Sequence, residues 1–169
     1  MRAKTVIPST FKDFYDSAPD EIRHYLDKAA KTPQSIMWHP EGDVKTHTNI
    51  VFNRAKRTGD INLMLAAIFH DLGKVDVTKK HATVPGKWSA HGHELSSARL
   101  VKKYKDWIES LGGDYDKILY VVEQHMRAKQ LSEMRPSKQL TFKQHKYYDL
   151  VQLFSTFDDM TKDYSNDLD

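Results

Sequence analysis

Histidines and aspartates of this chain occupy positions where a helix would turn them toward the protein interior. Nine histidines occur among the 169 residues. His47 continues the apolar face of a predicted helix over residues 43–58, because it is spaced three or four residues from its apolar neighbours. His70 and Asp71 end the next predicted helix, which is apolar on almost every side. We therefore expect these three side chains to face the core.

Three further residues extend the apolar faces of later predicted helices: His93 in helix 91–111, His125 in helix 114–126 and Asp158 in helix 141–163. A buried carboxylate without a partner is costly, so such a group is normally paired or bound to a metal. Imidazole nitrogens and carboxylate oxygens together suit a divalent first-row metal. We predict that one ion is bound by the following residues: His47, His70, Asp71 and Asp158. His93 and His125 are expected to lie beside it.

Each of these residues, taken alone, permits a simpler interpretation. A single histidine on an apolar face is more often a core residue bonded to a backbone carbonyl, and a single aspartate can cap a helix or pair with a lysine. A His-Asp dipeptide is expected roughly once by chance at this composition. Asp159 is an alternative ligand, although the helical phase favours Asp158, which shares a face with Phe154 and Val151. The metal hypothesis depends on the whole set occurring together.

Composition excludes several classes of function. The chain has no cysteine, which excludes disulfide scaffolds, thiolate zinc sites, iron–sulfur clusters and thiol nucleophiles. Its formal net charge of +3 is too small for a dedicated nucleic-acid binder but is compatible with a phosphorylated substrate. Its longest apolar stretch, residues 63–69, is far shorter than the roughly 18 residues of a membrane span. The N-terminal residues lack the features of a signal peptide, and we expect a cytoplasmic protein without membrane contact.

The pattern of apolar residues predicts an all-α fold. Glycine and proline are sparse, no repeat or linker divides the chain, and an alternation of period two is nowhere sustained. We predict a bundle of about six or seven helices, with helix 60–71 at its centre and a polar loop over residues 74–90. The single domain, residues 1–169, is expected to have three parts: an N-terminal helical arm (1–35), a core (36–163) and a frayed tail (164–169).

Four segments of the chain resemble one known family: WHPEGDV over residues 38–44 with His47-Thr48 after it, FHDLGK over 69–74, HGHE over 91–94 and VEQHM over 122–126. Together they are similar to the HD-domain superfamily of metal-dependent phosphohydrolases, and most of all to the HD domain of bacterial tRNA nucleotidyltransferases (CCA-adding enzymes). The resemblance covers roughly residues 36–163. It departs from these relatives after Asp158, where their Asp-x-x-Gly-Arg pattern is absent.

The resemblance implies an all-α HD-domain bundle that binds a divalent metal ion (Mn, Ni, Co, Mg, Zn or Fe). The implied ligands are the same four residues: His47, His70, Asp71 and Asp158. The implied chemistry is hydrolysis of a phosphoester by a metal-activated water that Asp71 also orients. His93 and His125 are suited to holding the phosphate or protonating the leaving oxygen. Lys74, Arg127 and His91 are expected to contact the substrate, and Lys74 is also a catalytic candidate. Trp38 and Trp88 could stack a base, but they are interpreted as packing residues.

The leading hypothesis for function is therefore a phosphohydrolase acting on nucleotide-type phosphoesters. By resemblance, the activity would be of the 2′,3′-cyclic phosphodiesterase, 2′-nucleotidase or phosphatase type, and an RNA end is a possible substrate beside small nucleotides. A (deoxy)nucleotide 5′-nucleotidase or triphosphohydrolase is the alternative enzyme. A non-catalytic HD module that binds nucleotides is the alternative of another class. The sequence leaves the oligomeric state open.

Overall fold

A computed structural model describes residues 8–168. Within this range the chain forms ten α-helices, two short 3₁₀ helices (Leu131–Glu133 and Ser165–Asp167) and one hairpin of two-residue strands, β1 (Lys79–Lys80) and β2 (Trp88–Ser89). The α-helices are α1 (Phe11–Ser17), α2 (Asp20–Ala29), α3 (Val44–Lys56), α4 (Ile61–Phe69), α5 (Lys74–Val77), α6 (His93–Lys103), α7 (Lys105–Ser110), α8 (Tyr115–Lys129), α9 (Pro136–Lys143) and α10 (Tyr148–Phe157). The prediction of an all-α fold is confirmed.

The helices are more numerous and shorter than the sequence pattern predicts. The expected helix 91–111 is interrupted at Tyr104, whose φ of −108° and ψ of 28° lie outside the α region. The expected helix 141–163 is much shorter, because α9 and α10 are separated by a turn. The segment expected as a loop over 74–90 holds α5 and the hairpin. These elements are too short to show an apolar period in the sequence.

Helix α4 lies at the centre of the bundle, as the sequence predicts. Leu65, Ala66 and Phe69 are fully buried, because this helix packs between α3 on one side and α8 on the other. Asp60 begins the helix by accepting a hydrogen bond from the backbone N–H of Asn62 at 2.8 Å. This central, apolar helix carries its C-terminal residues into the middle of the protein, where polar groups need partners.

Residues 8–35 pack against the same core as the rest of the chain. Phe14 is buried in α1, and its ring meets the ring of Phe52 edge to face at a centroid distance of 5.5 Å. Ile22 and Leu26 of α2 are also buried. The described part of the expected N-terminal arm is therefore joined to the core, and residues 1–7 of that arm lie outside the described range. No helix within residues 8–168 combines the length and apolar character needed to cross a bilayer.

Residues 167 and 168 of the expected frayed tail, 164–169, bond to side chains of α3. Asp167 is buried, and its Oδ2 accepts a hydrogen bond from Nε of the buried Arg54 at 3.0 Å. Asn53 donates to the carbonyl oxygen of Asp167 at 2.9 Å. A buried guanidinium requires a carboxylate partner, and the tail supplies it. This pairing joins residues 113 apart in sequence, so local pattern could not indicate it.

Gly73 allows the chain after α4 to lie directly against α6. A Cβ atom at this position would meet the backbone carbonyl oxygen of His93 and would lie 2.6 Å from the backbone nitrogen of Ser97. The N–H of Gly73 donates to Ser97 Oγ at 2.8 Å, and that hydroxyl donates to the carbonyl oxygen of His70 at 2.9 Å. The close approach thus fixes the position of His70 and Asp71 relative to α6.

We expect Gly73→Ala to lower the free energy of unfolding by about 1–3 kcal/mol, because the added methyl group meets backbone atoms that have little room to move. Gly113→Ala is the control, since its Cβ would lie 2.8 Å from Ile108 Cγ2, 2.9 Å from Leu65 Cδ1 and 3.0 Å from the carbonyl oxygen of Ile108. These contacts are longer than the two that a Cβ at Gly73 would make with backbone atoms, so the control should lose less stability. Urea denaturation of both variants measures the difference. An equal or larger loss in the control would contradict this role of Gly73.

Candidate metal centre

Four polar side chains meet where three helices converge. His47 projects from α3, His70 and Asp71 follow the last turn of α4, and Asp158 caps the C-terminus of α10. His47 Nε2 lies 2.7 Å from Asp158 Oδ1 and 3.2 Å from Asp71 Oδ2. His70 Nε2 lies 3.2 Å from the same Asp71 oxygen. One ligand atom from each residue lies within 4.8 Å of the others, so this His/Asp cluster could hold a metal ion.

The Nδ1 atoms of the two cluster histidines have other partners, which leaves their Nε2 atoms for a metal. His70 Nδ1 donates to the carbonyl oxygen of Ala67 at 2.7 Å. His47 Nδ1 donates to Glu41 Oε1 at 2.9 Å. A donor bond at Nδ1 keeps the proton there in the neutral ring, so the lone pair of Nε2 faces the cluster. The donor set is two imidazole nitrogens and two carboxylates, which suits a divalent first-row metal.

His93 and His125 lie on the other side of Asp71. Their Nε2 atoms are 3.1 Å apart, and they lie 3.1 Å and 3.5 Å from Asp71 Oδ1. Both Nδ1 atoms bond to backbone carbonyls, those of Ala90 at 2.9 Å and Val122 at 2.7 Å. Three acceptor atoms therefore face one another, which requires a proton on one ring or a cation between them. This second group could also hold an ion and would share Asp71 with the first.

The core-histidine interpretation is compatible with a role in the cluster at three of these positions. His70, His93 and His125 each bond a carbonyl three residues earlier in the chain, as buried histidines commonly do. The same bond directs the opposite ring nitrogen toward the carboxylates. One ring nitrogen thus makes the bond of a core histidine, while the other faces the cluster.

The electrostatic field of the cluster favours a cation. Burial by itself would lower the pKa of His70, but the carboxylates of Asp71 and Asp158 outweigh it and raise that pKa to about 9. Burial would likewise raise the pKa of both aspartates. The neighbouring charges of His70 with Lys74 at Asp71, and of Lys129 with His70 at Asp158, hold both values well below the usual range. Both carboxylates are therefore ionised at neutral pH and available as ligands.

Two lysines pair with the aspartates from opposite sides. Lys74 Nζ lies 3.2 Å from Asp71 Oδ2 and donates to Gln34 Oε1 at 2.7 Å. Lys129 Nζ lies 2.7 Å from Asp158 Oδ2. The sequence pattern did not indicate Lys129, because the predicted helix that contains His125 ends at residue 126, whereas α8 continues to Lys129. The spacing of four residues from His125 is the signal that would have placed this lysine on the same face.

Glu41 has a different role from the one its position suggests. Its place before α3 indicates helix-start electrostatics, but its side chain is fully buried and its Oε1 accepts from both His39 Nδ1 and His47 Nδ1, each at 2.9 Å. Burial opposes ionisation, yet these two bonds lower the pKa of Glu41 to about 2. Asp43 caps α3 by accepting from the N–H of Thr46 at 2.8 Å. Glu41 therefore orients His47.

The cluster adjoins a cavity of about 1270 Å³ through Asp158, and several predicted substrate residues line this cavity. Lys74, His91 and His93 belong to its wall, as does Asp158. Within residues 8–168, Arg127 is not among the residues that line this cavity. It points outward from α8, and its guanidinium group lies 5.8 Å from the centroid of the Phe142 ring in α9. The structure thus brings together every predicted site residue except Arg127.

Asp159 also lines the cavity but is turned away from the cluster. Its Oδ1 accepts from the backbone N–H and the hydroxyl of Thr161, at 2.9 Å and 2.7 Å. These bonds lower its pKa, chiefly through the Thr161 hydroxyl. Within residues 8–168, Asp159 is absent from the groups whose atoms converge closely enough for a metal. Geometry therefore favours Asp158 over its neighbour as the ligand.

Comparison with known proteins gives one family and several relatives. A sequence model of the HD domain matches residues 44–151. The chain is 32% identical over 113 residues to the Multifunctional CCA protein of Vibrio campbellii (strain ATCC BAA-1116), covering 66% of this chain and 26% of that protein. It is 30% identical over 126 residues to the Multifunctional CCA protein of Methylobacillus flagellatus, covering 70% and 28%. The chain thus spans about a quarter of the length of these curated relatives. No solved structure matches it significantly.

We expect Asp158→Asn to abolish metal retention, because it removes a charged ligand oxygen that lies 2.7 Å from His47 Nε2. Asp159→Asn should retain the metal, since the amide oxygen can still accept from Thr161. Elemental analysis of both variants after purification and metal loading measures this difference. The opposite result, with loss of metal only in Asp159→Asn, would show that Asp159 is the ligand.

Proposed function

Because the chain belongs to the HD-domain family of metal-dependent phosphohydrolases, we propose that it hydrolyses nucleotide-type phosphoesters. The activity is of the 2′,3′-cyclic phosphodiesterase, 2′-nucleotidase or phosphatase type. The observation that carries this proposal is the convergence of two imidazole nitrogens and two carboxylates beside a cavity whose wall includes one of these residues, Asp158. A domain that only bound a partner would have no need for ionised carboxylates facing its interior.

His47, His70, Asp71 and Asp158 are the residues that would hold the metal. A divalent ion bound there would polarise a phosphoryl oxygen and lower the pKa of a water molecule. The protein contributes a rigid frame for this chemistry. Each imidazole is fixed at its Nδ1, and both aspartates are held ionised by neighbouring lysines.

His93 and His125 are proposed to act on the substrate. Their Nε2 atoms lie within 3.5 Å of Asp71 Oδ1, next to the position where the phosphoryl group would bind. A proton held at one Nε2 would be stabilised by that carboxylate and could pass to the leaving oxygen. The other ring would accept a hydrogen bond or contact a phosphoryl oxygen.

The two lysines differ in what they can do. The Lys74 side chain is only 11% exposed, and its ammonium group already contacts Asp71 and Gln34. We therefore assign it to holding Asp71 in position. The Lys129 side chain is 32% exposed and lines the cavity, so its ammonium can meet a phosphate oxygen while it pairs with Asp158. His91 is exposed on the same wall and remains a proposed substrate contact, whereas Arg127 is not part of this proposal.

A substrate screen with metal removal and reloading tests the proposed function. The protein is treated with chelator, reloaded with each candidate divalent ion, and assayed with 2′,3′-cyclic nucleotides, 2′-nucleotides, 5′-nucleotides and nucleoside triphosphates. We expect phosphate ester hydrolysis only in the reloaded samples, with the cyclic or 2′ esters preferred. Turnover confined to 5′-nucleotides or triphosphates would support the other enzyme class. An absence of turnover with every metal and ester would refute hydrolysis and favour a binding module.

We expect His125→Asn to lower the catalytic rate by about 10²–10⁴-fold, the usual effect of losing an acid–base group. The asparagine amide nitrogen can replace Nδ1 as donor to the carbonyl of Val122, so the variant removes Nε2 alone. His145→Asn is the matched control, because His145 stacks on Tyr120 at 3.9 Å outside the cavity. Kinetics, metal content and melting temperature are measured together. A fall from two ions to one would make His125 a ligand instead.

A further inference from the structure

The side chain of Trp38 is largely exposed to solvent, which is unusual for a tryptophan. Its residue surface is 74% exposed, although the sequence suggests a packing role. Trp88, on β2, is half-buried and lines the same cavity as Trp38 and Asp158. The third tryptophan, Trp107, packs against Phe69 in the core at a ring distance of 6.0 Å. Of the three indoles, two therefore line the cavity whose wall includes Asp158 of the His/Asp cluster.

The two segments that carry these indoles are tied together by one hydroxyl group. Ser35 Oγ accepts from the backbone N–H of Trp88 at 2.8 Å and donates to the carbonyl oxygen of the same residue at 2.9 Å. The strand is thereby fixed to the turn that leads into Trp38. The wall formed by these two segments is consequently an ordered part of the protein.

Both segments are also connected to the residues of the cluster. Gln34, beside Ser35, accepts a hydrogen bond from Lys74, which contacts Asp71. His39, beside Trp38, shares Glu41 with His47. These contacts fix the aromatic wall relative to the metal ligands. Such positioning is what a site needs if it binds two parts of one molecule at once.

The chemistry of the cavity indicates what would lie against the indoles. Its volume of about 1270 Å³ is much larger than a phosphate group requires. Besides the tryptophans, its wall includes the cationic or protonatable side chains of Lys87, Lys129 and His81. An aromatic face beside positive charge suits a planar base joined to a phosphate, because bases stack on indoles while the phosphate meets the cations.

We propose that Trp38, supported by Trp88, binds the base of a nucleotide by stacking while the phosphate lies at the His/Asp cluster. For the position of the phosphate, this inference rests on the proposed function. It makes the base, and not only the phosphoester, a determinant of affinity. Trp38 is then the residue that separates nucleotides from other phosphoesters of similar size.

The test compares adenosine 5′-monophosphate with ribose 5-phosphate, two probes that differ only in the base. Tryptophan fluorescence of the metal-loaded protein is titrated with each probe and read immediately after mixing. We expect the nucleotide to quench the fluorescence and to bind about 5- to 150-fold more tightly than the sugar phosphate, the range measured for base–aromatic stacking. Trp38→Ala should remove most of this difference without changing the affinity for ribose 5-phosphate, whereas Trp38→Phe should retain part of it.

Ile36→Ala is the matched control, because Ile36 is 69% exposed near Trp38 but does not line the large cavity. It should bind both probes as the wild type does. Equal affinity of the wild type for the two probes, or an unchanged difference in Trp38→Ala, would overturn the inference. A wild-type dimer that dissociates in Trp38→Ala, measured by sedimentation, would also overturn it by assigning the indole to a protein interface.

The two proposals fail in different ways. If the nucleotide binds through Trp38 but no phosphoester is hydrolysed with any metal, hydrolysis is refuted and the base contact stands. If phosphoesters are hydrolysed with the same kcat/KM whether or not they carry a base, the base contact is refuted and hydrolysis stands.

Discussion

The site depends on an excess of hydrogen-bond acceptors in a buried space. The Nδ1 atoms of His47 and His70 already donate to other groups, so their Nε2 lone pairs point at each other and at Asp71 and Asp158. Such a set is unstable unless positive charge is present. Protonation of His70 is the response of the metal-free protein, as its raised pKa indicates. A divalent cation would satisfy all four acceptors at once. The excess of buried acceptors is therefore also what supports the proposed metal site.

Holding these groups together requires a rigid core, and the apolar helices supply it. The fully buried face of α4 anchors His70 and Asp71 at its C-terminal end, where polar groups can leave the apolar interior. Gly73 then brings the chain against α6 so closely that no side chain fits between them. Two backbone carbonyls, that of Ala90 shortly before α6 and that of Val122 within α8, orient the rings of His93 and His125. The positions of the functional atoms therefore follow from helix packing.

The sequence predicts that the side chains of the His/Asp cluster turn inward more closely than it predicts the bounds of the elements around them, and the reason is the range of the interactions involved. The proposed metal ligands continue apolar faces, so helical periodicity alone indicates that they turn inward. Lys129 could not be placed, because its role depends on three further residues of helix. The tail residue Asp167 and the buried Glu41 could not be assigned either. Their partners, Arg54 and His47, lie on α3, and no local pattern encodes such pairings.

The proposed reaction chemistry and the proposed recognition of a base rest on different kinds of structure in this protein. The His/Asp cluster is held by helices and by bonds to backbone carbonyls, which leave little freedom for change. The aromatic wall is held by a few side-chain bonds, chiefly those of Ser35 and Gln34, on a turn and a two-strand hairpin. Replacing residues on that wall alters what the cavity accepts without disturbing the core. Trp38 is exposed, so the packing of the core does not depend on it. It is therefore the position at which the proposed affinity for a base can change while the chemistry of the cluster stays the same.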